Sequence, residues 1–296
     1  MVLFQWNRSA KQLNTLTLCF VASATASAIA AALIGPPDRY TQRAQGLATH
    51  ANSLALVSVL ALGPAIVLII QSHRIVKLIW VIASGFLLWS ILFASGSRAG
   101  VIGLVFIFAL LQWFIGSRRT LLVALACLLL LVIALRLGFI DISGSESLGR
   151  LVGRGTEIQV SGAKQSDEGR FAALYLARDE FMKRPLIGSG LATARAAHNV
   201  YVSVLTSGGV IALIGLLLVL NQMFRSSQML SRLKDRPDGP LVLLGMGWIA
   251  GYAGMMAANL FQNALWERFV WIPPIIAVMC FYSARKNLEF PLNKEG

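Results

Sequence analysis

Residues 169–212 read GRFAALYLARDEFMKRPLIGSGLATARAAHNVYVSVLTSGGVIA, a charged loop that climbs back into an uncharged run beginning at Val200. That run continues to Phe224, about 25 residues, long enough to cross a bilayer as a helix. Arg170, Arg195 and His198 are thereby placed beside one membrane face. The rest of the chain is mostly apolar, so its polar chemistry gathers here.

Composition points the same way. Of the 296 residues 56% are apolar and 13% charged, with a mean hydropathy of +0.69. A water-soluble domain of this length carries far more charge. At roughly 20 residues per span, the chain has room for about eight transmembrane helices and one long polar loop. The expected fold class is all-α, a polytopic transmembrane helical bundle forming a single membrane domain over residues 1–296. The net charge of +13 does not imply nucleic acid, because cytoplasmic loops collect Lys and Arg for topological reasons alone. Cys19, Cys127 and Cys280 all lie in apolar runs, which leaves neither a disulfide frame nor a CxxC metal site.

Hydropathy predicts spans near 16–34, 54–70, 78–95, 99–116, 120–139, 200–224, 241–266 and 269–283. The stretch Ala24–Ala28 imitates a signal-peptidase site, but the spans that follow favour an anchor. Pro36-Pro37 stops the first helix, and Gly63-Pro64 can kink the second. Gly96-Ser97-Arg98 joins the third and fourth spans in a reversal so tight that Arg98 is held at the interface or points into the bundle. Trp248, Tyr252 and Trp266 are available to an interfacial aromatic belt. The polar loop runs over 140–197. Its Gly/Ser-rich first half shows no period and is expected to be irregular. Its second half predicts an amphipathic helix capped by Ser166 or Asp167 and starting near Arg170. Phe171, Leu174, Ala177 and Phe181 would form its apolar stripe, Asp179 and Lys183 an i,i+4 pair, and Pro185 and Gly188 its end.

Lys and Arg crowd both tails and the turns after the second, fourth and sixth spans, whereas the opposite short loops hold only Arg39, Arg43, Arg98 and Arg268. Both termini are therefore expected in the cytoplasm and the long loop outside. The outer face then offers Arg39, Arg43, Arg98, Arg170, Arg178, Arg195, His50 and His198. Guanidinium groups suit phosphates because they remain charged and bind two oxygens at once. Interfacial arginines also simply snorkel to lipid phosphates, a reading that fits Arg98 least because its turn is so short. His198 is either an ordinary histidine or a base that titrates near neutrality. The pairs Asp167-Glu168 and Asp179-Glu180 point to different sides of a helix, and no DxD, HExxH or Cys/His cluster stands on this face. No metal and no cofactor are expected. The cytoplasmic turns lack a Gly-rich phosphate loop, which excludes a nucleotide-driven pump.

One order of motifs is more specific. Gly96-Ser97-Arg98-Ala99-Gly100 opens a span; Gly169-Arg170, Pro185-Leu186-Ile187-Gly188-Ser189-Gly190, His198-Asn199 and Gly209-Val210-Ile211 follow. The sequence resembles the O-antigen ligase and polymerase superfamily. RAQGLATHAN, Arg43 to Asn52, is similar to that family's Arg-x-x-Gly…Pro-Asn segment, with Ala51 in place of proline. The ligase pattern also asks for Gly, Thr or Tyr where Ala212 stands, a departure that tilts toward polymerase or a relative. The resemblance implies a short form lacking the first spans, in a bacterial inner membrane. It implies transfer of glycan from an undecaprenyl-pyrophosphate-linked donor on the outer leaflet to a lipid or glycan acceptor, without metal. Arg98 and Arg170 would hold pyrophosphate and His198 would assist the attacking hydroxyl; Arg43, Asn52, Arg195 and Asn199 would contact substrate. Two other readings use the same residues: a flippase for a lipid-linked glycan, although the uncharged runs hold no intramembrane acid or base, and an inactive truncated relative serving as a scaffold.

Overall fold

The computed structural model describes residues 10–35, 43–115, 157–190, 197–231, 239–264 and 267–289. Among them the chain is entirely helical apart from turns and loops. The elements are α1 (Ala10–Ile34), α2 (Ala51–Gln71), α3 (Arg74–Trp89) with a following π turn (Ser90–Ala94), α4 (Arg98–Ile115), α5 (Glu157–Lys183), α6 (Val200–Ser231), α7 (Gly239–Ala258), a 3-10 turn (Arg268–Val270) and α8 (Ile272–Glu289). Five of these stretches are long and apolar enough to cross a membrane: Ala10–Ile34, Ala51–Gln71, Arg74–Ala94, Val200–Ser226 and Gly239–Ala258. Arg98–Phe114 and Ile272–Ala284 are shorter apolar helices. The chain is thus a polytopic helical bundle. The span expected at 120–139, the loop segment 140–156, and Arg39, Arg195, Cys127 and Trp266 lie outside the described residues.

Helix α7 is the axis, buried along almost its whole length, and α2, α4 and α8 pack around it. In hydrocarbon no water-driven force brings helices together, so small residues that allow close backbone approach decide which faces meet. A Cβ on Gly63 would overlap the Gly247 carbonyl oxygen, and one on Gly251 would overlap the Leu60 backbone carbonyl oxygen. Leu60 is the residue whose carbonyl Pro64 cannot engage inside α2, so the proline and the glycine meet at one contact. Register along the axis is fixed by buried polar pairs. Trp248 Nε1 donates to Thr17 Oγ1 at 3.0 Å, and Ser90 Oγ donates to Ser58 Oγ at 2.7 Å.

Several expectations need correcting. Trp248 and Tyr252 are 0% and 2% exposed, so they belong to the core and not to an interfacial belt. Trp248 fills its site by donating to Thr17 and packing on Phe20, with ring centroids 5.0 Å apart. The seventh span ends at Ala258, not near 266, because Leu260 and Phe261 turn back onto Ala257 and Ala258 in a tightened last turn. Helix α5 begins at Glu157, so residues 157–169, expected to be irregular, are helical, Ser166 and Asp167 are not caps, and Arg170 is mid-helix. This part of α5 needs no apolar period: Gln, Ala, Lys and Glu favour a helix once the packed half has nucleated it.

The inward face of α5 also differs from the expected stripe. Ala173 and Ala177 are buried, Arg170 and Phe181 half-buried, while Phe171 is 62% and Leu174 38% exposed. Small side chains let this helix lie close to the bundle. Lys183 pairs with Glu180 at 2.9 Å, an i,i+3 pair, in place of Asp179.

Helix α6 is interrupted inside the membrane-length run. Gly209 has φ +67° and ψ −167°, a conformation essentially restricted to glycine. The Pro185–Gly190 segment occupies the break: Val210 N donates to Pro185 O (2.9 Å), Ser189 N to Thr206 O (2.8 Å) and Gly190 N to Ser207 O (2.9 Å). Gly188 and Gly209 face one another's neighbours so closely that a Cβ on either would overlap backbone. The two glycine motifs seen separately in the sequence are two sides of one contact, which ties the end of α5 to the middle of α6.

Candidate functional site

The helix starts of α2, α4 and α6 open onto one cavity of about 470 Å³. Its walls include Arg43, Asn52, Ser97, Arg98, Arg170, His198 and Asn199, with Ile102, Phe171, Leu174, Leu260, Phe261 and Gln262 completing them. Each helix start presents the positive end of a helix dipole. Three such ends with three guanidinium groups make a site for an anion.

The π turn leads directly into the Gly96–Ala99 wall of the cavity. It swings the carbonyls of Ala94 and Ser95 out of the helix, where Ala44 N donates to Ala94 O (2.9 Å) and Arg43 Nε to Ser95 O (2.6 Å). Arg43 Nη2 also donates to Asn52 Oδ1. Arg43 thus bolts the Gly96-Ser97 turn to the start of α2. Ser97, 3% exposed, accepts from Gly100 N at 3.3 Å and engages Gln262 Nε2 at 2.8 Å. Arg98 follows as the first residue of α4, with its side chain exposed.

On the opposite wall Asn199 caps α6. Its Oδ1 accepts from Tyr201 N (2.9 Å) and Val202 N (3.0 Å), and its Nδ2 donates to Leu260 O (2.8 Å). Val200 N donates to Asn259 O at 3.0 Å. His198, one residue earlier, is exposed to the cavity, yet neighbouring atoms strip enough water from it to hold its pKa below 6.5; the positive charge of Arg170 lowers it further. The imidazole is therefore neutral, and able to take a proton, at neutral pH.

Six of the seven site residues read from the sequence, Arg43, Asn52, Arg98, Arg170, His198 and Asn199, meet at this cavity; Arg195 lies outside the described residues. His50 precedes α2 without capping it and is not among the lining residues. Sequence pattern gives Ser97, Phe261 and Gln262 no separate role: Ser97 is one residue of the Gly96–Gly100 motif, and the other two fall in a stretch that hydropathy assigns to a span. Among the described residues, no three His, Cys, Asp or Glu side chains gather where a metal could be held.

A family model described as O-antigen ligase matches residues 83–217. Over this stretch the chain is similar to the O-antigen ligase/polymerase superfamily. The matched part includes the π turn, Arg98, Arg170, His198, Asn199 and the Gly188–Gly209 contact. Arg43, Asn52, Phe261 and Gln262 stand outside it and reach the same cavity through the fold. No curated protein matches the chain.

Proposed function

We propose that this membrane protein transfers or polymerises glycan from an undecaprenyl-pyrophosphate-linked donor at the outer leaflet of a bacterial inner membrane, with both termini cytoplasmic. The observation that carries the proposal is the meeting of Arg98, Arg170 and His198 at one cavity supplied with three helix N-termini. In this reading Arg98 and Arg170 hold the pyrophosphate. The acceptor hydroxyl oxygen attacks the anomeric carbon while His198 takes its proton. The bond from that carbon to the pyrophosphate oxygen breaks, and its electron pair leaves on undecaprenyl pyrophosphate. Charge grows on that leaving group in the transition state, where preorganised guanidinium groups and helix dipoles stabilise it most. The reaction needs no redox step and no metal, since two fixed cations already face the leaving group.

Arg43, Asn52 and Asn199 act in this reading mainly as positioning residues, since their hydrogen bonds hold the Arg98 turn and the His198 corner. Arg195 remains proposed as a further substrate contact. The test is glycan transfer in membranes from a lipid-linked donor. Arg98→Ala, Arg170→Ala and His198→Ala are each expected to lower transfer by at least a hundredfold with normal membrane levels, on the scale of lost transition-state stabilisers. Arg98→Lys is expected to lose most activity as well, because lysine keeps the charge but not the two-pronged donor. Full activity in Arg98→Lys would reduce Arg98 to a membrane anchor.

A further inference from the structure

The donor-site reading leaves one wall of the cavity without a task. The turn after α7, residues 259–264, contributes Leu260, Phe261 and Gln262. It is held from two sides. Asn199 Nδ2 and Val200 N bind the carbonyls of Leu260 and Asn259 at 2.8 and 3.0 Å, and Gln262 Nε2 engages Ser97 Oγ at 2.8 Å. The turn is therefore fixed to the start of α6, beside His198, and to the start of α4, beside Arg98.

Its chemistry differs from the rest of the cavity. Arg43, Arg98 and Arg170 are cations. The Asn52 oxygen and both ends of the Asn199 amide are engaged by protein groups. Gln262 is neutral and 5% exposed; Ser97 engages one end of its amide, and the other is left to the cavity it lines. Phe261, its neighbour, keeps 45% of its surface open. A fixed neutral amide beside an open aromatic ring is poor at holding a phosphate. It suits a sugar, whose hydroxyl groups both donate and accept hydrogen bonds and whose C–H face packs on an aromatic ring. The placement of this turn relative to the family match adds to this. Arg98, Arg170 and His198 fall within residues 83–217 and the turn falls outside them. A shared leaving group and a particular glycan would divide in that way.

We infer that the 259–264 turn is the glycosyl subsite: Gln262 hydrogen-bonds a hydroxyl or acylamino group of the sugar attached to the pyrophosphate, Phe261 packs on its face, and together they set which sugar is accepted. This rests on the cavity being the donor site. A site built to hydrogen-bond a particular group discriminates against ligands lacking it, since its own polar group is then left unpaired.

The experiment measures dissociation constants of the full chain in detergent micelles. The probes are undecaprenyl pyrophosphate without sugar and a panel of undecaprenyl-pyrophosphoryl monosaccharides: glucose, galactose, N-acetylglucosamine and N-acetylgalactosamine. The unmutated protein is expected to bind at least one sugar-bearing probe more tightly than the bare lipid. Gln262→Met, which keeps the side-chain volume, and Phe261→Ala, at an open position, are each expected to weaken that probe by about three- to tenfold, the range for one lost neutral contact. Both should flatten the ranking of sugars and leave bare-lipid affinity within about twofold, which also reports that the variants are folded. Equal weakening of the bare lipid would assign the turn to the pyrophosphate and overturn the inference. So would an unchanged ranking in both variants, or an unmutated protein that binds every sugar-bearing probe no better than the bare lipid. Arg98→Ala serves as a separate arm: undiminished binding of bare undecaprenyl pyrophosphate there would overturn the donor-site reading itself, whatever Gln262 does.

Discussion

Replacing Asn199 separates a residue that touches the donor from one that holds the machinery. Asn199 Oδ1 accepts two peptide N–H groups at the start of α6, at 2.9 and 3.0 Å, and Nδ2 donates to Leu260 O at 2.8 Å. Loss of such a cap costs about 1 kcal/mol and up to about 2, and a hydrogen bond between elements adds about 1. Asn199→Ala is therefore expected to lower stability by about 2–3 kcal/mol. Asn199→Ser keeps a good capping oxygen but cannot reach Leu260 as a second donor, so about 1 kcal/mol should be lost. Unfolding in mixed micelles by denaturant titration measures both. Transfer kinetics supply the second readout. His198 precedes the cap, so both variants should lower kcat while leaving the donor KM within about twofold, the pattern for a lost transition-state contact. Two results would refute the reasoning: a serine variant as unstable as the alanine one, or a tenfold rise in donor KM at unchanged kcat, which would place the amide on the substrate.

Other outcomes follow from the same geometry. Protonation of His198 is disfavoured in the folded protein, so the neutral base persists below pH 6.5 and transfer should fall only as pH drops through a value lower than that. Arg170→Gln removes the smaller of the two causes; the acid limb of its residual activity should move upward yet stay below 6.5, as read from the pH–rate profile. Gly209→Ala forces a side chain into a glycine-only conformation and against the Leu186 carbonyl; a loss of at least about 2 kcal/mol in the same denaturant titration is expected. A reporter fused after Gly162 should be active only outside the cytoplasmic membrane, and one after Arg232 only in the cytoplasm, as the Lys/Arg asymmetry requires; the reverse pattern would invert the placement of the site.

What the sequence by itself determined is what depends on neighbours along the chain. A lipid-soluble helix must satisfy its backbone internally, so uncharged length alone marked where α1, α2, α3, α4, α6 and α8 run, with ends up to seven residues away. The glycine, arginine and histidine motifs could be read for the same reason, since each is a short run with its own chemistry. Tertiary structure decided whatever depends on a partner distant in sequence. Helix α7 stops at Ala258 because Asn199, Val200 and Ser97 supply partners for the turn that follows, and hydropathy, which sees only apolar length, runs on through Phe261. The buried place of Trp248 depends on Thr17, far away in the chain. The inward face of α5 was set by how closely Ala173 and Ala177 approach the bundle, not by its largest apolar residues. Likewise, the use of Arg43 as a bolt depends on a π turn whose displaced carbonyls no local pattern announces. Side chains chosen for local solubility mark where helices form; hydrogen bonds and close contacts between helices decide where they end, and so which residues share a cavity.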